Sequence, residues 1–290
     1  MRHRQLIVIT IGLVFIIAGC KSIPDNTAMS SDDVPIRFDV YGKGQPALVF
    51  VHGWCGDRTN WDHILDPYAK RSKVVTIDLP GFGESGRERD TWTMGAYGED
   101  VMEVVKRLKL NQVILIGFSM GDKVIVEAAR RMPERVVALV GIDNFRNIDP
   151  LSAEQIEQVV AILSASFKGE EAMRRFLRGA IHPSRDSVFV DSLASQMGGC
   201  PSTSEIAIPI IEAYYLHDLK PALEEITAPI RAINSDILPT DIKILQRFDP
   251  SFRVINYSGA GHLILWEDPD QLVRHLSEIL TEFTGSSTAQ

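Results

Sequence analysis

The chain has 290 residues, of which 45% are hydrophobic and 23% charged. That length and apolar share can bury a sizeable core, as one large domain or as one domain carrying an insertion. A formal net charge of -8, with no run of Lys or Arg, speaks against nucleic acid as a partner.

Arg2 and Arg4 precede an apolar run from Leu6 to Ala18. The run is short for a membrane span and has the form of a secretory signal over residues 1–19. Its end, "IAGC" at residues 17–20, resembles the lipobox of bacterial lipoproteins. That resemblance implies cleavage before Cys20, lipidation of Cys20, and a chain held at the bacterial cell envelope by this lipid. Lys21 follows the cysteine; by the same resemblance this implies the outer membrane, on its periplasmic face. A plain membrane anchor and an ordinary signal peptide are the alternatives. Residues 20–33 are polar and without periodicity, which predicts a tether. Of the other cysteines, Cys55 and Cys200, an oxidising compartment permits a pair; the expectation is two separate small apolar residues.

From Val34 onward strands and helices alternate. "IRFDVYG" at 36–42 predicts a strand ending in a Gly-Lys-Gly turn. "ALVFVH" at 47–52, "KVVTID" at 73–78, "QVILIG" at 112–117, "VVALVGID" at 136–143, "IRAIN" at 230–234 and "FRVINY" at 252–257 are short apolar runs. Such runs fit strands buried on both faces. Between them, Val101, Val104, Val105 and Leu108 keep helical spacing. Val124, Ile125, Ala128, Ala129 and Met132 do so before Pro133, and Leu272, Leu276, Ile279, Leu280 and Phe283 do so after the start signals Asp268 and Pro269. The alternation predicts an α/β protein with a mostly parallel, doubly wound sheet flanked by helices. The core should comprise residues 34–143 and 226–284. Residues 144–225 hold helical patterns and no convincing strand, beginning with a capping box of Ser152 and Gln155. They predict a helical lid inserted between two strands, with Pro209 interrupting its last segment.

"GFSMG" at 117–121 places Ser119 between two glycines, after a predicted strand and before a predicted helix. This is the context of a nucleophile elbow, although a turn residue or a helix N-cap would also place a serine there. A serine hydroxyl needs a base. Among seven histidines, His262 stands in a Gly-rich loop between the last strand and the last helix, where it can reach the carboxyl edge of the sheet. The acid that orients it should end a strand and lie between Ser119 and His262 in the chain. Asp236, after "IRAINS", is the first candidate. Asp143, after "VVALVGI", competes with it. Asp241 is expected to open a helix instead. An oxyanion hole needs backbone N–H groups; Met120 and Trp54 are placed to supply them, with His52 orienting the Trp54 loop.

Four of these segments, in this order, resemble the α/β-hydrolase fold family, in its lid-bearing branch of small esterases, lactonases and carbon–carbon bond hydrolases. They are "FVHGW", "DLPGFGES", "GFSMG" and "GAGH". The resemblance extends from about Val34 to Phe283. Two departures stand out. Asp122 occupies a position where the family usually has a small residue, and Ile233 stands where the acid loop usually has a glycine. A serine in the elbow disfavours the family's dehalogenase and epoxide hydrolase activities, which use an aspartate. The expectation is a carboxylesterase-like serine hydrolase of an ester, lactone or thioester, without metal or organic cofactor, acting on a small, partly apolar acyl substrate. Carbon–carbon bond hydrolysis or cofactor-free perhydrolysis on the same triad, and a surface-tethered binding protein with little turnover, are the alternatives.

Overall fold

The computed structural model of the chain describes residues 24–146, 148–166, 169–197 and 204–284. The predicted signal, Cys20 and Cys200 lie outside these residues. Eight strands form one sheet: β1 (Thr27–Met29), β2 (Pro35–Tyr41), β3 (Ala47–Val51), β4 (Val74–Ile77), β5 (Val113–Phe118), β6 (Val136–Ile142), β7 (Ile230–Ser235) and β8 (Arg253–Tyr257). Their order is β1-β2-β4-β3-β5-β6-β7-β8. The pairs β1/β2 and β2/β4 are antiparallel and all others parallel. The doubly wound, mostly parallel sheet expected from the sequence is therefore present. The core begins earlier than Val34, because Thr27–Met29, expected in the tether, pairs with Pro35–Arg37 and buries Thr27 and Ala28.

The described helices are α1 (Asp66–Ala69), α2 (Met94–Arg107), α3 (Gly121–Arg131), α4 (Ala153–Ser166), α5 (Glu170–Ala180), α6 (Ser187–Met197), α7 (Ser204–Leu216), α8 (Lys220–Glu224), α9 (Ile242–Leu245), α10 (Ile264–Glu267) and α11 (Pro269–Thr284). A 3-10 helix spans Arg58–Ile64. Alternation along each strand decides which layer a side chain enters. Val49 and Val51 of β3 join Val101, Val105, Val124 and Ala128 of α2 and α3 on one face. Leu48 and Phe50 join Trp61, Leu265, Leu272 and Leu276 on the other. Each such side chain contributes about 1.5–3 kcal/mol by leaving water, so the two layers fix the sheet between them. α2 and α3 cross closely at Gly98, where a Cβ would lie 2.6 Å from the Glu127 carbonyl carbon.

Among the described residues, five helices, α4 to α8, lie between β6 and β7. The Ser152–Gln155 capping box forms, with Ser152 N donating to Gln155 Oε1 at 2.9 Å and Gln155 N to Ser152 Oγ at 3.3 Å. Pro209 does not interrupt α7 but lies inside it. A proline there removes one helical hydrogen bond, while the burial of Ala207, Ile210 and Ile211 around it holds the helix against the core. Because β5, β6, β7 and β8 are parallel, their carboxyl ends share one edge, where open α/β sheets place their sites.

Candidate active site

At the end of β5 the backbone turns directly into α3. Ser119 takes φ 50°, a left-handed value that a non-glycine residue holds only when its surroundings impose it. The flanking glycines are sterically required. A Cβ on Gly117 would lie 2.5 Å from the Gly121 carbonyl oxygen, and one on Gly121 2.6 Å from that of Val51. The N-cap of α3 is Met120, without a side-chain cap. The Ser119 hydroxyl therefore does not cap the helix; it lies 2.9 Å from His262 Nε2.

His262 follows β8 in a loop held from three sides. Its N–H donates to the Ala180 carbonyl at 2.7 Å. The preceding Gly261 donates its N–H to Glu267 Oε1 at 2.8 Å, and its carbonyl accepts the Tyr257 hydroxyl at 2.9 Å. Glu267 is buried, and its Oε2 also accepts the His182 N–H at 2.8 Å. The end of α5 and the histidine loop are thus pinned by one carboxylate. The imidazole stacks on Phe118, with ring centroids 5.1 Å apart.

His262 Nδ1 lies 2.6 Å from Asp143 Oδ2. With Nδ1–H donating to the carboxylate, Nε2 is left to accept from Ser119. Asp236, the first candidate for this position, does not make the contact. It is exposed, and its N–H donates to Tyr257 O at 2.9 Å, which carries it past the sheet edge. The competitor Asp143 is the aspartate brought to the histidine. Asp241 caps α9, its Oδ1 accepting the Ile244 N–H at 3.1 Å.

Asp143 is 6% exposed. Its Oδ1 accepts from Ser235 N at 2.8 Å, Ser235 Oγ at 2.9 Å and Arg146 Nη2 at 2.5 Å. Burial pushes this carboxyl up, but the hydrogen bond and charge of His262, then Arg146 and the Ser235 N–H, outweigh it and hold it below the usual carboxyl range. The loop behind it is stapled in turn. Asn234 Oδ1 accepts the Asn144 N–H, Asn144 Nδ2 donates to Gly117 O, and Asp122 Oδ2 accepts the Phe145 N–H at 3.2 Å. Asp122, singled out as unusual in the sequence, therefore links the first turn of α3 to the loop carrying Asp143. Arg146, Ser235 and Glu267 were not foreseen as part of this edge; Ser235 and Arg146 lie one and three residues from candidate acids, the one signal that could have drawn notice to them.

Opposite the hydroxyl, Gly53 packs on the elbow, since a Cβ there would lie 3.0 Å from Ser119 Cβ. His52 is fully buried and orients this loop as expected: Nδ1–H donates to Gly53 O at 2.7 Å and Nε2 accepts the Leu79 N–H at 3.0 Å. Trp54 Nε1 donates to Ala207 O of α7 at 2.7 Å, tying the loop to the helical stretch. Cys55 is disulfide-bonded. This corrects the expectation of a separate apolar cysteine; its partner lies outside the described residues. Ser119, Asp143 and His262 open into a cavity of about 500 Å³, walled by Trp54, Phe118, Phe145, Phe176, Tyr214 and Trp266.

Residues 46–184 match the family model described as alpha/beta hydrolase fold. The dihydrolipoyllysine-residue acetyltransferase component of the acetoin cleaving system of Pseudomonas putida is 24% identical over 84% of this chain and 65% of its own length. The pimeloyl-[acyl-carrier protein] methyl ester esterase of Nitrosomonas europaea is 25% identical over 82% of this chain and 96% of its own. A thermophilic esterase from Thermogutta terrifontis superposes with a TM-score of 0.76 at 21% identity, covering 89% of this chain and 98% of that one. The chain has the α/β-hydrolase fold, and its relatives include esterases and other hydrolases.

Proposed function

We propose that the protein is a serine hydrolase that cleaves a carboxylic ester, lactone or thioester through an acyl-enzyme. The observation that carries this reading is the unbroken relay from Ser119 Oγ through His262 to the buried Asp143, with contacts of 2.9 and 2.6 Å, inside an aromatic-walled cavity. Ser119 attacks the acyl carbonyl as His262 Nε2 takes its proton. Asp143 holds the tautomer and stabilises the imidazolium. The N–H groups of Met120 and Trp54 receive the developing oxyanion. His262 then hands the proton to the leaving group. Water, deprotonated by His262, cleaves the acyl-enzyme and frees Ser119. The helical stretch of residues 144–225 acts as a lid, and the apolar side chains that α4, α5 and α7 present to the cavity, such as Leu163, Met173, Phe176 and Ile211, favour a partly apolar acyl group. A fluorophosphonate probe should label Ser119 in wild type and fail on Ser119→Ala; equal labelling of the two would refute the nucleophile. A panel of p-nitrophenyl esters of graded chain length, with a lactone and a thioester, then orders the substrate classes.

We further propose that the chain is anchored at the bacterial cell envelope through lipid on Cys20, on the support of "IAGC" and the charged, apolar segment before it. Labelled palmitate should be incorporated by wild type and not by Cys20→Ser; incorporation by both would refute the anchor.

A further inference from the structure

Arg146 lies three residues beyond Asp143, outside the relay, yet it spans the two strand ends that build the site. Its Nη2 donates to Asp143 Oδ1 at 2.5 Å, Ser235 O at 2.8 Å and Ser235 Oγ at 2.9 Å, and its Nη1 donates to Leu238 O. Its side chain is 14% exposed and that of Asp143 4%, so the pair is largely withdrawn from solvent. The acid it touches sits on strained backbone: Asp143 has φ 48° and Phe145 φ 54°. Such backbone persists only where its surroundings over-determine it. A carboxylate with one oxygen saturated by three donors cannot rotate, so its other oxygen stays presented to the imidazole.

We propose that Arg146 is a positioning residue of the hydrolytic relay: its guanidinium locks the Asp143 carboxylate across the ends of β6 and β7 so that Oδ2 faces His262. The proposal rests on the serine hydrolase reading above. A planar guanidinium suits this task better than an ammonium. It reaches the carboxylate, the serine and the Leu238 carbonyl at once with donors in fixed directions. Ser235 N and Oγ alone would leave the acid held by one residue of the neighbouring strand. The charge also serves a second end, since Arg146 favours the ionised carboxylate that His262 needs.

The test is steady-state kinetics of Arg146→Ala and Arg146→Lys on a p-nitrophenyl ester, with fluorophosphonate labelling of Ser119 and thermal melts alongside. Arg146→Ala should lose about thirtyfold in kcat with KM held within about twofold, the size expected for one hydrogen-bonding cation on a buried carboxylate. Millimolar methylguanidinium should restore much of that kcat, and Arg146→Lys should recover only part of it. An Arg146→Ala enzyme with wild-type kcat overturns the proposal. So does a loss that tracks melting temperature and answers to neither methylguanidinium nor lysine, since that is a structural ion pair. If wild type neither turns over esters nor takes the probe, the hydrolase reading has failed and the proposal falls with it. A reactive wild type with an indifferent Arg146→Ala rejects the proposal alone.

Discussion

The carboxyl ends of β6 and β7 lie side by side, with Gly141 opposite Ala232 and Ile142 opposite Ile233. Each strand is followed at once by an aspartate, Asp143 in one case and Asp236 in the other, yet only the first meets His262. The difference is the direction the backbone takes. After Ile142 the chain folds back over its own strand, through positive φ at Asp143 and Phe145. Gly141 makes the room: a Cβ there would lie 1.9 Å from Asn144 Oδ1 and 2.6 Å from the Phe145 ring. After Ile233 the chain stays in the sheet. Ser235 still pairs with Tyr257, and Asp236 is carried into solvent. The β7 end supports the acid through Ser235 and Asn234 and does not supply it. A strand-end aspartate is thus a site residue only where the following turn brings it back over the sheet edge.

Three substitutions probe this contrast. The largest effect is expected at the β6 end, where Asp143→Asn should lower kcat by about 10⁴-fold, because an amide neither holds the imidazole tautomer nor stabilises its cation. Next is Asp122, which anchors the same loop. Burial pushes its carboxyl up to about 6 from the usual 3.8. A carboxyl raised in the folded state contributes most below its unfolded pKa, and that contribution is lost as pH rises through the folded one. Wild type should therefore lose up to about 3 kcal/mol relative to Asp122→Asn between about pH 4 and pH 7. Denaturant unfolding of both proteins across that range checks the sign, and a gap that does not change with pH would contradict it. The smallest effect is at the β7 end: Asp236→Asn should leave kcat within about twofold, as an exposed side chain outside the relay.

Much of this molecule was legible in the sequence because the signals are local. Six short apolar runs and the segment "IRFDVYG" marked seven of the eight described strands, and the glycines around Ser119 marked a turn that tolerates no side chain at either end. The eighth, Thr27–Met29, is three residues long and has no pattern of its own; only pairing with β2 makes it a strand. The choice between Asp143 and Asp236 was not local either. Both follow apolar strands in the expected chain order, and what separates them is a cradle from Ser235, Asn234 and Asp122, distant in sequence from the Asp143 loop, and from Arg146, which is near Asp143 in sequence but reaches across to β7. Glu267 was not foreseen as part of this edge, because its grip on both Gly261 and His182 depends on α5 reaching the histidine loop. The disulfide at Cys55 is likewise a matter of approach in space.

The ratio of kcat/KM for Asp236→Asn to that for Asp143→Asn, measured on one p-nitrophenyl ester under one condition, tests most directly which strand end carries the acid. The account predicts a ratio near 10⁴; a ratio at or below about one would place the acid on β7 and contradict it.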